Sequence, residues 1–282
     1  MKENINVTNF LQLYSIFKEE RLSGRYISWL HLEPLMQELE SHFQIEEIGR
    51  SFLGIPIKSI RIGNGPVKVL GWSQMHGNES TTTKGLFDLF KLFIIYSSSP
   101  EVRNLLSSCT FLFIPMLNPD GAARYTRENV NKVDLNRDAL ERKEPESRVL
   151  REVFENFQPD YCLNLHDQRT IFSAGKEKKP ATLSFLAPAL DEEKSVPEHR
   201  LKAMQIITAI NEALQQVIPG QVGRYGDDFN INCTGDTFQS LEVPTILFEA
   251  GHYMDDYARE ETRMYFTFAL FEALHFISNG DF

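Results

Sequence analysis

The chain has 282 residues, 42% of them hydrophobic, and a formal net charge of −10. That length and apolar content suit one large domain with a sizeable core better than two small ones. The acidic balance disfavours any sequence-independent grip on phosphate backbones or anionic membranes, so neither nucleic acid nor a lipid surface is an expected partner.

In chain order, the N-terminal MKENINVTNF places acidic and amide residues where a leader needs an unbroken apolar stretch. No apolar run approaches the ~18 residues of a membrane span, and a cytoplasmic location is the expectation. Apolar periodicity predicts helices over Val7–Glu20 and Pro34–Phe43, then a strand over Ile57–Ile62. The Gly63-Asn64-Gly65-Pro66 stretch has hairpin chemistry, which predicts that the next strand, Val67–Ser73, runs antiparallel to the last. A helix over Thr81–Tyr96, a strand over Thr110–Met116, a helix over Glu146–Phe157 and strands over Tyr161–Leu165 and Leu183–Ala187 follow. The C-terminal part reads as a helix over Pro197–Val217, a strand over Thr245–Phe248 and a helix over Glu260–Ile277. This alternation predicts an α/β domain with a mixed, partly parallel sheet. The charge-rich stretches Arg137–Glu146 and Asp191–Pro197 read as solvated surface loops. Cys109, Cys162 and Cys233 are odd in number and widely spaced, which predicts reduced thiols and no thiolate metal site.

Five polar clusters punctuate this map: His76-Gly-Asn-Glu79, Asn118-Pro-Asp-Gly121 with Arg127 after it, Asp134-Leu-Asn136-Arg137, His166, and Glu249. His76, Asn118, His166 and Glu249 each fall just past the C-terminal end of a predicted strand, where open α/β sheets place their ligand crevices. A His and a Glu three residues apart plus a distant second His make a nitrogen and carboxylate set. Such a set holds Zn²⁺ and leaves a fourth position for water. Taken singly the signals are weaker. His-x-x-Glu alone can be a surface turn, His166 a hydrogen-bonded core histidine, and Asn-Pro-Asp-Gly a turn closed by its own side chains. Glu249 can be a salt-bridged strand end or a buried carboxylate with a pKa raised toward base catalysis. Asp134 reads as a cap or structural residue.

In combination and order, HGNE, NPDG, RENVNKVDLNR, the post-strand His166 and the Glu249 of the last strand resemble the zinc carboxypeptidases of the carboxypeptidase A type. The resemblance runs from about Gly49 to the end, dividing the chain into a mostly helical lead, residues 1–48, packed on a catalytic domain, residues 49–282. It implies a single α/β domain with a mixed eight-stranded sheet flanked by helices on both faces. It also implies that His76, Glu79 and His166 bind one zinc per chain. Glu249 would be the general base and acid that moves the proton of zinc-activated water to the leaving amine. Arg127 would stabilise the oxyanion, and Asn136 and Arg137 would hold the free C-terminal carboxylate of a peptide, the Arg by a bidentate fork. The expected activity is hydrolysis of the peptide bond next to that carboxylate.

The chain departs from the digestive members in lacking their inhibitory pro-segment and leader. It resembles an intracellular bacterial-style member, nearer to the murein-peptide amidases. The family's substrate-capping Tyr has no clear match in DDFNINCTGDTF, where Phe229 sits nearest and Tyr225 is the alternative. The same loop offers Asp228, Asp236 and Thr237 to the pocket for the terminal side chain, an acidic set that favours a basic or diaminopimelate-like residue. His252 and Tyr253 read as packing. The segment after His166, HDQRT, lacks the small residue often found there.

Two other classes share these features. A zinc deacylase of the aspartoacylase and succinylglutamate desuccinylase branch also begins with HGNE, but the nine residues from Arg127 to Asn136 match the peptidase branch. A non-catalytic zinc-binding relative would lack the base or a ligand, and all are present. A two-His, one-carboxylate iron site would need an all-β scaffold. The sequence leaves the substrate peptide and the oligomeric state open.

Overall fold

The computed structural model describes residues 5, 7–176 and 178–280 of the chain. Part of the N-terminal stretch read for a leader, residues 1–4 and 6, lies outside them. Among the described residues the elements in order are α1 Val7–Phe17, α2 Trp29–Leu39, β1 Gln44–Arg50, β2 Pro56–Gly63, β3 Val67–Ser73, α3 Thr81–Ile95, α4 Pro100–Ser108, β4 Cys109–Ile114, α5 Pro119–Arg124, α6 Pro145–Phe157, β5 Tyr161–Asp167, β6 Leu183–Leu186, α7 Glu198–Gln215, β7 Val222–Arg224, α8 Thr234–Ser240, β8 Thr245–Ala250 and α9 Glu260–Asn279. A 3-10 turn, Leu135–Arg137, falls between α5 and α6.

The strands form one sheet in the order β1-β2-β4-β3-β5-β8-β6-β7. Its four central members, β4, β3, β5 and β8, are parallel, whereas β1 and β2 pair antiparallel to their neighbours and β6 runs antiparallel to β8 but parallel to β7. Central parallel strands need apolar residues on both faces, and every residue of β5 is buried. Alternation then assigns side chains to two cores. Val69, Phe111, Phe113, Leu163 and Leu165 point to the larger one, under α1, α2, α3, α4, α7 and α9. Leu70, Trp72, Ile114 and Cys162 point to the smaller one, under α6 and α8. Helices therefore cover both faces. From β3 the chain crosses to β4 on one side and returns to β5 on the other, which opens a crevice at the C-terminal ends of these strands.

The N-terminal helices are sewn onto the larger core. Phe10 meets Phe268 and Phe271 of α9, and Tyr14 donates to Asp88 Oδ2 at 2.7 Å. Asp88 also receives Arg263 Nε at 2.7 Å and Nη2 at 2.5 Å, with neither ionic side chain exposed to water.

Three expectations need correction. β2 and β3 do run in opposite directions, but β4 lies between them, so they are not a hairpin. A Cβ on Gly63 or Gly65 would strike the Ser108–Cys109 backbone; these glycines serve a close passage over the end of α4 instead of a tight turn. Helix α2 starts at Trp29, with Ser28 as its cap, and Pro34 lies inside it rather than at its start. The loop Arg137–Glu146 is not simply a solvated face, because Asp138, Glu144 and Glu146 are buried. Asp138 accepts from the Lys143 and Glu144 amides, and Glu144 from the Asn129 and Asn131 side chains. Among the described residues no helix is long and apolar enough to cross a membrane.

Candidate active site

Strand β3 ends at Ser73 and the chain turns through Gln74, at φ 49°, into Met75 and His76. Gln74 secures this turn by donating to the Ile27 and Gly77 carbonyls and accepting from Thr83 Oγ1. The Asn118-Pro-Asp-Gly121 motif supports it from the side. Asn118 caps α5 by accepting from the Gly121 amide at 2.8 Å, and its Nδ2 donates to the Met75 carbonyl at 3.1 Å. Gly77 lies so close to the Gly121–Ala122 backbone that no side chain fits between them.

Helix α3 begins immediately beyond Glu79 and Ser80, and its first amides need an acceptor. Asp167, the last residue of β5, supplies it, taking the Thr81 amide at 2.8 Å and the Thr82 amide at 3.2 Å. The Asp167 amide in turn donates to Glu79 Oε2 at 3.1 Å. One residue earlier on β5 is His166. The loop from β3 and the end of β5 are thereby locked together.

His76, Glu79 and His166 meet at the crevice, each about 2% exposed. His76 Nδ1 lies 2.9 Å from Glu79 Oε1, His166 Nδ1 lies 3.0 Å from Glu79 Oε2, and the two Nδ1 atoms are 3.1 Å apart. His76 Nε2 lies 2.9 Å from Asp134 Oδ1, which fixes the imidazole proton on Nε2 and leaves the Nδ1 lone pair facing the cluster. The ligand atoms lie within 4.8 Å of one another. Separations near 3 Å approach the ~3.3 Å edge of a tetrahedron built on ~2.0 Å Zn–N and Zn–O bonds. Two imidazole nitrogens and one carboxylate are the donor set of an open zinc site, so the residues fit that ion.

The electrostatics agree with an anionic cluster awaiting a cation. Burial opposes ionisation of Glu79, but His76 and His166 outweigh it and hold the carboxyl well below its usual range. Burial likewise opposes the Asp134 charge, and its bonds to His76 and Arg127 overcome it. Burial lowers His166 and opposes protonation of His76, which the Glu79 and Asp134 carboxylates nonetheless raise.

Arg127 reaches the cluster from the strand-end loop after α5. Its Nε and Nη2 each lie 3.0 Å from Asp134 Oδ2, and Nη1 lies 3.4 Å from Glu79 Oε1. Asp134 also caps the 3-10 turn through the Asn136 amide at 2.9 Å. Asn136 Oδ1 accepts from the Thr234 amide at the start of α8, and Arg137, exposed, donates to the Asn136 carbonyl at 2.7 Å. Asp134, read from sequence as structural, is thus the hub joining the His, the Arg and the Asn-Arg pair. The signal that could have found it was its position just before Asn136 and Arg137.

Glu249 pairs directly with His166 across the β5–β8 ladder. Burial pushes its carboxyl well above the usual range, with the Glu79 and Asp167 charges adding to the rise. Among the described residues no hydrogen bond or ion pair engages that carboxyl. Tyr225 follows β7, and burial first, then the Glu249 and Glu79 charges, raise its phenol. No such link ties Phe229 to the site. Asp228 does not join a pocket: its side chain is 98% exposed and bonded to Lys194. Asp236 is buried, pushed up to about 6 by desolvation, with Arg137 opposing the rise. Thr237 is spent on the Ile231 carbonyl. Tyr253 packs on Tyr265, whereas His252 Nε2 lies 3.1 Å from Arg259 and 3.2 Å from the Arg169 carbonyl.

Comparison with known proteins gives concordant results. A carboxypeptidase A from Helicoverpa armigera superposes with a TM-score of 0.69 at 19% identity, covering 98% of this chain and 82% of that one. A metallo-carboxypeptidase from Burkholderia cenocepacia gives 0.69 at 17% identity, covering 90% and 70%. These likenesses establish the fold. A probable carboxypeptidase 2 from Trichophyton verrucosum is 28% identical over 171 residues, covering 58% of this chain and 31% of that protein. An inactive metallocarboxypeptidase from Paracoccidioides lutzii is 33% identical over 130 residues, covering 43% and 20%. The chain thus spans at most about a third of the length of these two curated relatives. The family model described as zinc carboxypeptidase, peptidase M14, matches residues 31–273, and the chain belongs to that family.

Proposed function

We propose that the chain is a zinc metallocarboxypeptidase that hydrolyses the peptide bond next to a free C-terminal carboxylate. The observation carrying this reading is the convergence of two imidazole nitrogens and Glu79 beside a half-buried carboxyl, Glu249, that is unpaired among the described residues. His76, Glu79 and His166 would hold one zinc per chain. Bound there, zinc supplies a Lewis acid that polarises the scissile carbonyl and acidifies water.

The chain's own residues then do the rest. Glu249 takes the proton from the attacking water as the new carbon–oxygen bond forms. It delivers that proton to the amine nitrogen as the carbon–nitrogen bond breaks. A carboxyl whose burial raises its pKa suits both transfers. Arg127 faces the carbonyl oxygen as negative charge develops on it, and Asp134 holds the guanidinium in place. Asn136 and Arg137 bind the terminal carboxylate, and Tyr225 is the ring placed to close over the substrate.

We read residues 1–48 as a lead onto the catalytic domain, residues 49–282, its helices α1 and α2 packing on the larger core and its last residues entering β1, the edge strand that crosses the boundary. The expected substrates are peptides with a free C-terminus, and the expected location is the cytoplasm. Peptides with free and amidated C-termini, assayed with and without a chelator, test the reading. Turnover confined to the free form and abolished by the chelator is expected. Equal turnover of both forms would eliminate the exopeptidase.

A further inference from the structure

A row of aromatic and cationic side chains borders the ligand loop over the larger core, whereas Asn136 is tied to α8 over the smaller one. Arg169, three residues beyond His166, donates through Nη1 to the Asn78 carbonyl and to the Tyr125 hydroxyl, both at 2.8 Å. Its guanidinium lies 5.2 Å from the Tyr125 ring centre. Tyr125 packs against Tyr26 with the rings tilted by 56° and their centres 4.5 Å apart, and Arg25 lies over Tyr257 at 4.8 Å. This ledge is continuous with the ligand loop, because Ser80 Oγ donates to the Arg25 carbonyl at 2.7 Å and Asn78 is the neighbour of Glu79.

Two observations set the row apart from ordinary surface packing. Tyr26 and Tyr257 are 62% and 73% exposed, with Phe172, Ile171 and Met254 also exposed around the adjoining groove of about 840 Å³. Exposed aromatic and aliphatic side chains gathered about one groove mark a candidate binding surface. Arg25 and Arg169 also have no ion-pair partner among the described residues, as is true of Arg137, the proposed carboxylate ligand, whereas Arg127 and Arg259, which touch the ligand cluster and Asp167, each have one. Of the acidic groups lining the groove, Asp256 is committed to the first amides of α9, leaving Asp255 at the rim.

Direction follows from the network. Asn136 is tied to Thr234 of α8, over the smaller core, whereas Arg25 leads into α2, over the larger core, and Arg169 is bonded to Asn78 in the ligand loop between them. A peptide whose carboxylate sits at Asn136–Arg137 and whose scissile bond lies over the ligands therefore leads its upstream residues onto the ledge. We propose that Arg169 and Arg25, with the Tyr125–Tyr26–Tyr257 row, form an upstream subsite that favours substrates with an acidic side chain on the N-terminal side of the scissile bond. The tyrosines supply flat apolar contact and the guanidiniums a charge partner that the protein lacks.

This proposal rests on the carboxypeptidase reading, and the test separates the two. N-acylated tetrapeptides with one fixed C-terminal residue are assayed with Glu or Gln at each upstream position in turn, at low and at high salt. At one position kcat/KM should favour Glu by about fivefold, the ratio that ~1 kcal/mol from a partly exposed ion pair gives. The preference should shrink with salt. Arg169→Gln and Arg25→Gln should bring the Glu-to-Gln ratio toward one, and Arg169→Lys should restore part of it. The ratio is read within each variant, so a change in overall rate does not confuse it, and zinc content reports the integrity of the site. A ratio of one at every position in the wild type, or one unmoved in both Gln variants, overturns the subsite. If no peptide is hydrolysed, the carboxypeptidase reading fails by itself. The subsite is then judged on binding of the same Glu and Gln peptides by fluorescence anisotropy, by the same criteria.

Discussion

Replacing Asp134 by Asn tests how the site is held, with almost no change of shape. Asp134 Oδ1 faces His76 Nε2 and the Asn136 amide, while Oδ2 faces two nitrogens of Arg127. All four partners are donors, and an ionised carboxylate is the group that satisfies them together. An amide offers one acceptor oxygen and one NH₂. If the NH₂ faces His76 it drives the imidazole proton to Nδ1 and blocks the ligand lone pair. If it faces Arg127 it opposes a guanidinium. Loss of a carboxylate behind a ligating imidazole typically costs about 10- to 100-fold in metal affinity, or ~1.4–2.7 kcal/mol. Zinc affinity measured by competition with a chromophoric chelator should fall by that factor in Asp134→Asn, with the fold intact by circular dichroism. Catalysis should fall further than zinc saturation can restore, because Arg127 loses its anchor as well. An Asp134→Asn protein with wild-type zinc affinity and wild-type turnover at saturating zinc would refute the hub role.

Glu249→Gln keeps the shape but cannot accept a proton, so zinc content should stay at one per chain while turnover falls by at least about 10²–10⁴; loss of the zinc would recast Glu249 as structural. Arg137→Lys should weaken catalysis on free-carboxylate peptides, since an ammonium cannot reproduce a bidentate fork; unchanged kcat/KM would remove it from the clamp. Asp236, pushed up to about 6, is neutral below that pH and ionised above it. Relative kcat/KM for Lys- over Leu-terminated peptides should therefore climb as pH rises from 5 to 7, and a flat ratio would place Asp236 outside the pocket. Asp88→Asn removes the fully buried counter-charge of Arg263, leaving it only the more exposed Glu260, and should cost about 3–5 kcal/mol in urea unfolding. A loss under 1 kcal/mol would mean that Glu260 with the Glu19 and Leu22 carbonyls satisfies the guanidinium.

The long apolar strands were legible because both of their faces are buried, which leaves a continuous Val, Leu and Phe signature. β1, QIEEIGR, was not, since an edge strand exposes most of its side chains and shows no alternation. The short β7 and the small helices α5 and α8 depend on tertiary partners such as the Asn118 cap and the Asn136–Thr234 bond. Polar residues concentrated at strand ends revealed the crevice. Roles that arise from contacts between loops distant in sequence were hidden: Asp134 meets His76 across 58 positions, and Asp167 caps a helix 86 residues away. The buried Asp138, Glu144 and Glu146 misled for a related reason, since composition cannot distinguish a carboxylate facing water from one facing amides.

The pairing of His166 with Glu249 makes the gap between a candidate ligand and the proposed base a property of the backbone ladder, fixed near the ~4.8 Å spacing of neighbouring strands. Such a spacing is insensitive to which apolar residues fill the cores on either side, so sequences can drift widely while the chemistry keeps its distances. It is intolerant of length. One residue inserted or deleted within Thr245–Ala250 would turn the carboxyl to the opposite face and present an apolar neighbour in its place.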